Sequence, residues 1–379
     1  MKTINRRIVI IGTSHHNTLS MVRCFGMTGN KADIIIYGCE SSFVAASRMV
    51  GNCYYAPSVA EAYSLLLNLF TEEIEKPIVI SCTDEIEAII DANYDTISLK
   101  YDCFNAGKAG RVSQFMDKSI QVELADKAGF NVPRSYSSSR LIDINSFTDY
   151  PYLIKPLESK NGGKKIVVCY NGQELREAII SFGKIPFLIQ QFIQKEKEYV
   201  IVGLTVGGVS HIPACIEKHR ETNGATTYST VHPIDYIPAC LVGSTKSMLE
   251  RIGYEGLWGI ELIKRGKDYF FIELNLRNDA TTYSVAVAGV NLPFNYALLK
   301  SGETTVGNIT VRTIDSMVEN RDFQFVLTRK LGLMHWLMQY RASECKYIKF
   351  KDDNKPFIIE RNRILSSLFN MVLHKLHLK

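Results

Sequence analysis

The sequence has no Cys-x-x-Cys pair, no long apolar run and no strong excess of charge of either sign. Its nine cysteines are scattered, which favours a reducing compartment over a disulfide framework and predicts no zinc site. Without a long apolar run we expect neither a signal peptide nor a transmembrane segment, and therefore a cytoplasmic protein. A net charge of +5 on 379 residues is too small to indicate a nucleic-acid partner.

The chain does contain enough apolar sequence, 46% of its residues, for the cores of two or three domains. Short apolar runs at residues 7–12, 32–37 and 77–81 alternate with helical stretches. This alternation predicts a parallel, doubly wound sheet. The loop after the first run has a single glycine, Gly12, and lacks the Gly-x-Gly-x-x-Gly pattern of a dinucleotide site.

Loops at the carboxyl ends of parallel strands commonly hold ligands. The loop at residues 13–17, followed by a helix from about Thr18, makes His15 and His16 candidates to face a substrate. The alternative is one packed and one solvated ring. Asp84 is a similar candidate, although capping of the helix that follows it is the commoner role.

Residues 256–279 read as two strands joined by a charged turn, and both strands carry acids. In the second strand, Glu273, Asn275 and Arg277 alternate with apolar residues, which places the three polar side chains on one face. A loop with an odd number of residues would set Glu261 of the first strand on that face, but the sequence leaves the register open. Two carboxylates and an amide oxygen suit Mg²⁺, and an arginine beside them suits an anion. A solvated face of cross-strand ion pairs is the alternative.

Lys155 lies in the apolar strand at residues 152–156, where an ammonium is costly unless it meets an anion. The next turn, residues 158–165, contains Gly162 and Gly163, which let backbone N–H groups approach phosphate oxygens. Strand and turn together predict a phosphate cradle that is not a Walker loop. The alternative is a surface lysine beside an ordinary turn.

Taken in order, these segments resemble the ATP-grasp superfamily. The motifs are MDK, YLIKP, SKNGGKK, LIQQFI, KEKEYV, GIEL and IELNLR. They are most similar to carboxylate–amine ligases and to the biotin carboxylase or carbamoyl-phosphate synthase type of ATP-binding fold. The resemblance covers about residues 108–302. It implies an α/β protein with a Rossmann-like, doubly wound parallel-sheet domain (1–104), a two-lobed ATP-grasp domain (105–305) with a small lid at about 133–185, and a C-terminal extension (306–379).

The resemblance also implies roles for individual residues, with ATP and Mg²⁺ or Mn²⁺ as cofactors. The metal ligands would be Glu261, Glu273 and Asn275, and the catalytic residues Arg277 and Lys155. Those binding the nucleotide would be Lys118, Lys155, Ser159, Gly162, Gly163, Gln191, Phe192, Ile193 and Glu198. Gln191 stands where the family commonly has an acid, which an adenine site read by backbone groups tolerates.

The activity implied is the phosphorylation of a carboxylate to an acyl phosphate, followed by transfer of the acyl group to an amine. The partners would be ATP and small-molecule substrates, such as a metabolite or a cell-envelope precursor, and a homodimer is left open. Phosphorylation of bicarbonate, as in carbamoyl-phosphate synthase or carboxylases, is one alternative, and a non-catalytic ATP-binding module is another.

Three further segments carry weaker predictions. Lys218 and Arg220 lie in a polar segment that either binds a substrate anion or forms a mobile surface loop. Four residues that follow Arg277 are candidates to line the substrate pocket: Asp279, Thr281, Thr282 and Tyr283. Residues 346–359 read as strand–turn–strand, and residues 360–379 as a basic amphipathic helix that packs on its own domain, on a second subunit or on a membrane surface.

Overall fold

The computed structural model describes residues 3–70, 73–138, 144–157, 166–222, 224–307 and 310–377, with side chains as far as residue 366. Three sheets organise these residues: a four-stranded parallel sheet, a four-stranded antiparallel sheet and a large seven-stranded sheet. None of the helices described in these ranges combines the length and apolarity that crossing a bilayer requires.

The first sheet is parallel, with strand order β3-β2-β1-β4. Its strands are β1 (Ile8–Gly12), β2 (Ala32–Tyr37), β3 (Val50–Ala56) and β4 (Ile78–Ser81), and its helices are α1 (His16–Gly26), α2 (Val59–Leu69), α3 (Asp84–Ala92) and α4 (Tyr94–Ile97). Alternate residues of β1 enter two separate cores, because Ile10 packs on the side of α1 whereas Val9 packs on the side of α2 and α3. The doubly wound prediction is confirmed.

The helix after β1 begins earlier than expected, at His16 rather than Thr18. The ring of His15 explains this, because its Nδ1 accepts a hydrogen bond from the backbone N–H of Asn17 at 3.2 Å. The imidazole thus caps the first turn of α1 and satisfies a donor that a helix start leaves open.

Two helices and a small antiparallel sheet follow. The helices are α5 (Arg111–Phe115) and α6 (Lys118–Lys127). The strands are β5 (Ser135–Ser137), β6 (Tyr152–Pro156), β7 (Val167–Cys169) and β8 (Phe187–Gln191), and their order in the sheet is β5-β8-β6-β7. Helix α7 (Gly172–Phe182) packs on this sheet. Strand β6 is interior to this sheet, between β8 and β7, and its residue Lys155 pairs with Leu188 of β8.

The large sheet has the order β13-β12-β9-β10-β11-β14-β15. Its strands are β9 (Lys197–Val206), β10 (Val209–Thr222), β11 (Ala225–Pro233), β12 (Gly256–Arg265), β13 (Asp268–Asn275), β14 (Ile314–Met317) and β15 (Cys345–Lys346). Its helices are α8 (Ala239–Ile252), α9 (Thr282–Ala288), α10 (Leu292–Lys300), α11 (Glu319–Asp322), α12 (Gln324–Leu327), α13 (Leu333–Ala342) and α14 (Lys355–His377). The polar segment around Lys218 is therefore part of a long hairpin, and its interpretation as a surface loop is wrong.

Residues 347–353, near the C-terminus, contact helix α1 of the first domain. The guanidinium of Arg23 on α1 is fully buried, donates to the carboxylate of Asp353 at 3.0 Å and also donates to the carbonyl of Tyr347 at 2.7 Å. Because Asp353 is committed to this ion pair, the segment contacts α1 instead of closing a hairpin. The predicted strand–turn–strand at residues 346–359 is wrong, and Pro356 instead lies in the first turn of α14, a favoured position for proline.

Candidate active site

The two acids of the β12–β13 hairpin face each other. Glu261 pairs directly with Glu273 across the strands. The loop between the strands has two residues, 266–267, and in a regular ladder an even loop would pair Glu261 with Ile272 instead. A β-bulge next to Glu261 absorbs one extra residue of β13 and restores the face-to-face arrangement. The register that the sequence left open is therefore set by the bulge, which gives an even loop the arrangement that an odd loop would produce.

The bulge also changes which apolar residues enter the core. Leu274 and Leu276 are buried in the core as the alternation predicts, but Ile272 lines the cleft beside Glu273. The sequence contains a signal for this break. Four consecutive apolar residues, 269–272, precede Glu273 and interrupt the period of two.

Two lysines bind these acids. Lys118, at the start of α6, forms an ion pair with Glu273, and Lys218 donates to Glu261 at 2.9 Å and to Glu198 at 2.5 Å. Burial raises the pKa of Glu261, and repulsion from Glu273 adds to this, although Lys218 works against both. For Glu273 the balance is opposite: burial acts to raise its pKa, but Lys118 outweighs burial and lowers it.

Lys155 lies in the same cluster but is differently placed. Its residue is only 6% exposed, and among the described residues no carboxylate lies within 4.0 Å of its ammonium. Burial lowers its pKa to about 8, the charge of Lys118 lowers it further, and Glu273 and Glu261 offset only part of the change. The arrangement leaves a buried cation whose partner is not supplied by the described part of the chain.

Arg277 joins the cluster to the first sheet. Its guanidinium donates to the carboxylate of Asp84 on α3 at 2.5 Å and to the amide oxygen of Asn275 at 3.4 Å. Burial opposes the charge, but the carboxylate of Asp84 holds the pKa of Arg277 above its ordinary value. The cap of α3 is the hydroxyl of Thr83, so Asp84 is free to make this contact and the capping interpretation is wrong.

The acids, the lysines and Arg277 line one cleft of about 1790 Å³ between the three sheets. A second pocket of about 420 Å³ opens beside it, and Glu198 and Ile272 line both. The predicted adenine-binding segment Gln191, Phe192 and Ile193 lines the smaller pocket. The structure thus brings together Lys118, Lys155, Glu198, Lys218, Glu261, Glu273, Asn275 and Arg277 around the larger one. The predicted phosphate-loop residues Ser159, Gly162 and Gly163 lie outside the described residues.

The two histidines also reach this cleft. His16 is buried and His15 is half-buried, and both line the cleft, so the expectation of one solvated ring is wrong. Asp279 and Thr281 line the cleft as predicted, whereas Tyr283 is fully buried in the core and does not. Arg220, predicted beside Lys218 as an anion binder, instead forms a structural ion pair with Asp322 at 2.7 Å.

No cluster of three or more histidine, cysteine or acidic side chains suited to a metal occurs in the described ranges. The opposed pair Glu261–Glu273 with Asn275 is a smaller donor set. It fits a magnesium ion that takes its other ligands from phosphates and water. Burial raises the pKa of Glu261 and the charge of Glu273 adds to this, so a bound divalent cation would offset both effects.

Comparison with known proteins agrees with this geometry. Residues 115–281 match the family model of the ATP-grasp domain. This segment of the chain is identified as an ATP-grasp domain. A curated N5-carboxyaminoimidazole ribonucleotide synthase from Synechococcus elongatus is 23% identical over 160 residues, and the match spans 41% of this chain and 40% of that protein.

Solved structures show the same ATP-grasp fold over most of the chain. An N5-carboxyaminoimidazole synthetase from Staphylococcus aureus, complexed with ADP, superposes with a TM-score of 0.68 at 13% identity and covers 87% of each chain. An L-amino acid ligase from Bacillus licheniformis superposes with a TM-score of 0.62 at 15% identity, covering 84% of this chain and 80% of that one. A biotin carboxylase from Campylobacter jejuni superposes with a TM-score of 0.63 at 15% identity, covering 82% of this chain and 74% of that one. The predicted fold class is confirmed.

Sequence reasoning missed the part of this ATP-grasp cleft that comes from the C-terminal residues. Arg321 on α11 and Tyr347 after β15 line the cleft, together with Ser316 and Val318. The sequence offers no local signal for this, because these residues reach the cleft only through the attachment of β14 to β11 and the contact of Asp353 with Arg23.

Proposed function

We propose that this protein is an ATP-dependent carboxylate–amine ligase that forms an acyl phosphate and releases ADP and phosphate. The observation that carries the proposal is the opposed pair Glu261–Glu273, surrounded by Lys118, Lys155 and Lys218 in a cleft large enough for a nucleotide and a second substrate. Paired carboxylates beside several cations are the arrangement needed to hold a magnesium ion and the phosphates of ATP together.

The adenine is proposed to enter the smaller pocket. Phe192 and Ile193 give it apolar walls there, and Ile272 closes the side that faces the metal site. Glu198 lies where the two pockets join and is held by Lys218, so its carboxylate is placed to accept hydrogen bonds from the ribose hydroxyls.

The phosphates then extend toward the metal site. Glu261, Glu273 and Asn275 would hold the magnesium ion there, and the ion would supply positive charge beside the phosphates. Lys155, whose ammonium has no carboxylate within 4.0 Å among the described residues, binds the γ-phosphate, and Lys118 stands close enough to reach the same group. Ser159, Gly162 and Gly163 remain proposed members of this phosphate site.

Arg277 is proposed to orient the carboxylate that is phosphorylated. A carboxylate oxygen of the substrate attacks the γ-phosphorus, the bond from that phosphorus to ADP breaks, and an acyl phosphate forms. The amine nitrogen then attacks the acyl carbon, inorganic phosphate leaves with the bonding electrons, and the nitrogen loses a proton. Positioning and charge stabilisation carry both steps without a covalent enzyme intermediate.

We propose the division 1–104, 105–305 and 306–379, with residues of about 133–185 acting as a lid that excludes water from the acyl phosphate. The small sheet that carries Lys155 supports the lid role, because it forms one wall of the cleft. All nine cysteines are free thiols, which supports a cytoplasmic location. Homodimerisation stays a proposal that the mass in solution tests.

Phosphorylation of bicarbonate is a second candidate. It is favoured by the resemblance of the fold to a biotin carboxylase and to N5-carboxyaminoimidazole synthetases. In this candidate the same residues act on the γ-phosphate, and bicarbonate takes the place of the organic carboxylate at Arg277.

The test measures ADP release from Mg-ATP with pooled amino acids and amines, or with bicarbonate, as the co-substrate. We expect release only when a carboxylate and an amine are both present. Bicarbonate-dependent release would favour the second candidate, and ATP binding without any turnover would identify a non-catalytic module.

Matched variants assign the turnover to the site. Glu273→Gln removes one carboxylate of the pair, and Glu344→Gln changes an exposed acid that is paired with Arg312 and does not line the cleft. We expect at least about a thousandfold loss for the first, or about 4 kcal/mol of transition-state stabilisation, and no loss for the second. Equal activity of the two variants would remove the metal assignment.

A further inference from the structure

The end of the cleft beyond Arg277 is built from both ends of the chain. The N-cap residue of α1, His15, and the first turn of α1, with His16 and Asn17, line this end, and the C-terminal part contributes Arg321 and Tyr347. Arg321 lies outside residues 115–281, the part that matches the ATP-grasp family model. Whatever this end binds is therefore recognised in part by residues that the family match does not cover.

Arg321 differs from the three cations of the cleft that are paired with acids. Lys118 is paired with Glu273, Lys218 with Glu261, and Arg277 with Asp84. The guanidinium of Arg321 is half-buried, and within the described part of the chain no side chain or carbonyl forms an ion pair or a hydrogen bond with it. Burial lowers its pKa, and no acid offsets this effect.

The acids nearest to Arg321 in sequence are committed to other contacts. Glu319 accepts hydrogen bonds from the backbone N–H groups of Ile348 at 2.9 Å and Lys349 at 2.8 Å. Asp322 accepts two hydrogen bonds from Arg220, at 2.9 and 2.7 Å. Neither carboxylate is available to neutralise Arg321.

The acids that line the same end of the cleft are also engaged. Asp84 is paired with Arg277, and Asp279 accepts from the backbone N–H of Thr281 at 2.8 Å and from its hydroxyl at 2.6 Å. The positive charge of Arg321 therefore faces the cleft without a counter-charge from the walls described around it.

The histidine beside it supplies an uncharged donor. Burial lowers the pKa of His15 to about 4, and the charges of Arg321 and Arg277 add to this. Its Nδ1 accepts from the backbone of Asn17, so the neutral ring carries its proton on Nε2. A fixed cation next to a neutral donor is a surface that attracts anions.

We propose that Arg321 binds an anionic group, a carboxylate or a phosphate, on the substrate that meets the nucleotide in this cleft. The inference rests on the proposed function and adds a recognition point to it, separate from the carboxylate that is phosphorylated. A guanidinium binds either anion through two parallel hydrogen bonds, so Arg321 fixes the orientation of the substrate as well as its charge.

The test uses the protein loaded with Mg²⁺ and a non-hydrolysable ATP analogue, titrated separately with inorganic phosphate and with acetate. Loading keeps the phosphate site of the nucleotide filled, so that added anions report on the remainder of the cleft. The comparison includes wild type, Arg321→Gln, Arg321→Lys and the control Arg341→Gln, which removes an equal charge from an exposed arginine on α13 that does not line the cleft.

We expect saturable binding of at least one anion to wild type and to Arg341→Gln, at least about tenfold weaker binding to Arg321→Gln, and partial recovery in Arg321→Lys. Tighter binding of phosphate or of acetate tells which group the substrate carries. Equal binding to wild type and Arg321→Gln, or no saturable binding to loaded wild type, would overturn the inference. Failure of the ATP analogue to bind would instead refute the proposed function, and is measured first.

Discussion

Replacing Lys155 with methionine is expected to stabilise the protein without nucleotide while weakening nucleotide binding. The pKa of this buried lysine is lowered to about 8, first by burial and then by the charge of Lys118. An unfolded chain holds the same proton with a pKa of about 10.5. This difference between the folded and unfolded pKa means that the buried charge destabilises the folded protein by about 3 kcal/mol.

The sign of the effect fixes its pH dependence. Because the folded chain releases this proton at a lower pH than the unfolded chain does, the destabilisation is fully present below about pH 8. It shrinks as the pH rises from about 8 to about 10.5, where the unfolded chain also loses the proton. Lys155→Met, which has a similar shape and no charge, should therefore gain up to about 3 kcal/mol near pH 7 and much less near pH 10.

Urea unfolding at both pH values, without nucleotide, measures this directly. The control is Lys246→Met, which changes an exposed lysine on α8. In parallel, a saturating ATP analogue should stabilise wild type far more than Lys155→Met, because ligand that binds the folded state adds to its stability. A variant less stable than wild type near pH 7, or an equal gain at both pH values, would refute the reasoning.

Two further predictions concern the walls of the cleft. Asp84→Asn replaces the charged partner of Arg277 with a weaker, neutral acceptor. It is expected to lower the thermal unfolding temperature, with a loss of about 2–3 kcal/mol in the free energy of unfolding. An unchanged unfolding temperature would contradict the role of this ion pair. Ile272→Ala shortens an apolar side chain that lines both pockets. It is expected to raise the KM for ATP about tenfold while leaving kcat nearly unchanged, by loss of about 1–2 kcal/mol of contact with adenine. An unchanged KM would place the adenine elsewhere.

Much of the fold could be predicted because its signals are local. The apolar runs that became β1, β2 and β4 show a buried parallel strand on their own, and the alternation with helices gives the sheet type. Strand β3 was missed, since only its end residues Val50 and Ala56 are buried and the residues between them look like a loop.

The site was predicted in composition but not in geometry. Glu261 and Glu273 could be named from their strands, but the bulge that sets them opposite each other depends on which register the whole sheet accepts. Lys218 was left between two interpretations, because its burial arises from contacts with Glu198 on β9 and Glu261 on β12, both distant in sequence. Arg321 could not be predicted at all, since only the complete fold brings it to the cleft.

The central claim is that Glu261 and Glu273 together hold the metal ion that carries the nucleotide. Titration of Mn²⁺ by electron paramagnetic resonance, in the presence of an ATP analogue, measures this on wild type, Glu261→Gln, Glu273→Gln and the double variant. The account predicts that each single change weakens Mn²⁺ binding at least about tenfold and that the double variant loses less than the sum of the two, because both acids serve one ion. Wild-type Mn²⁺ affinity in either single variant would contradict it.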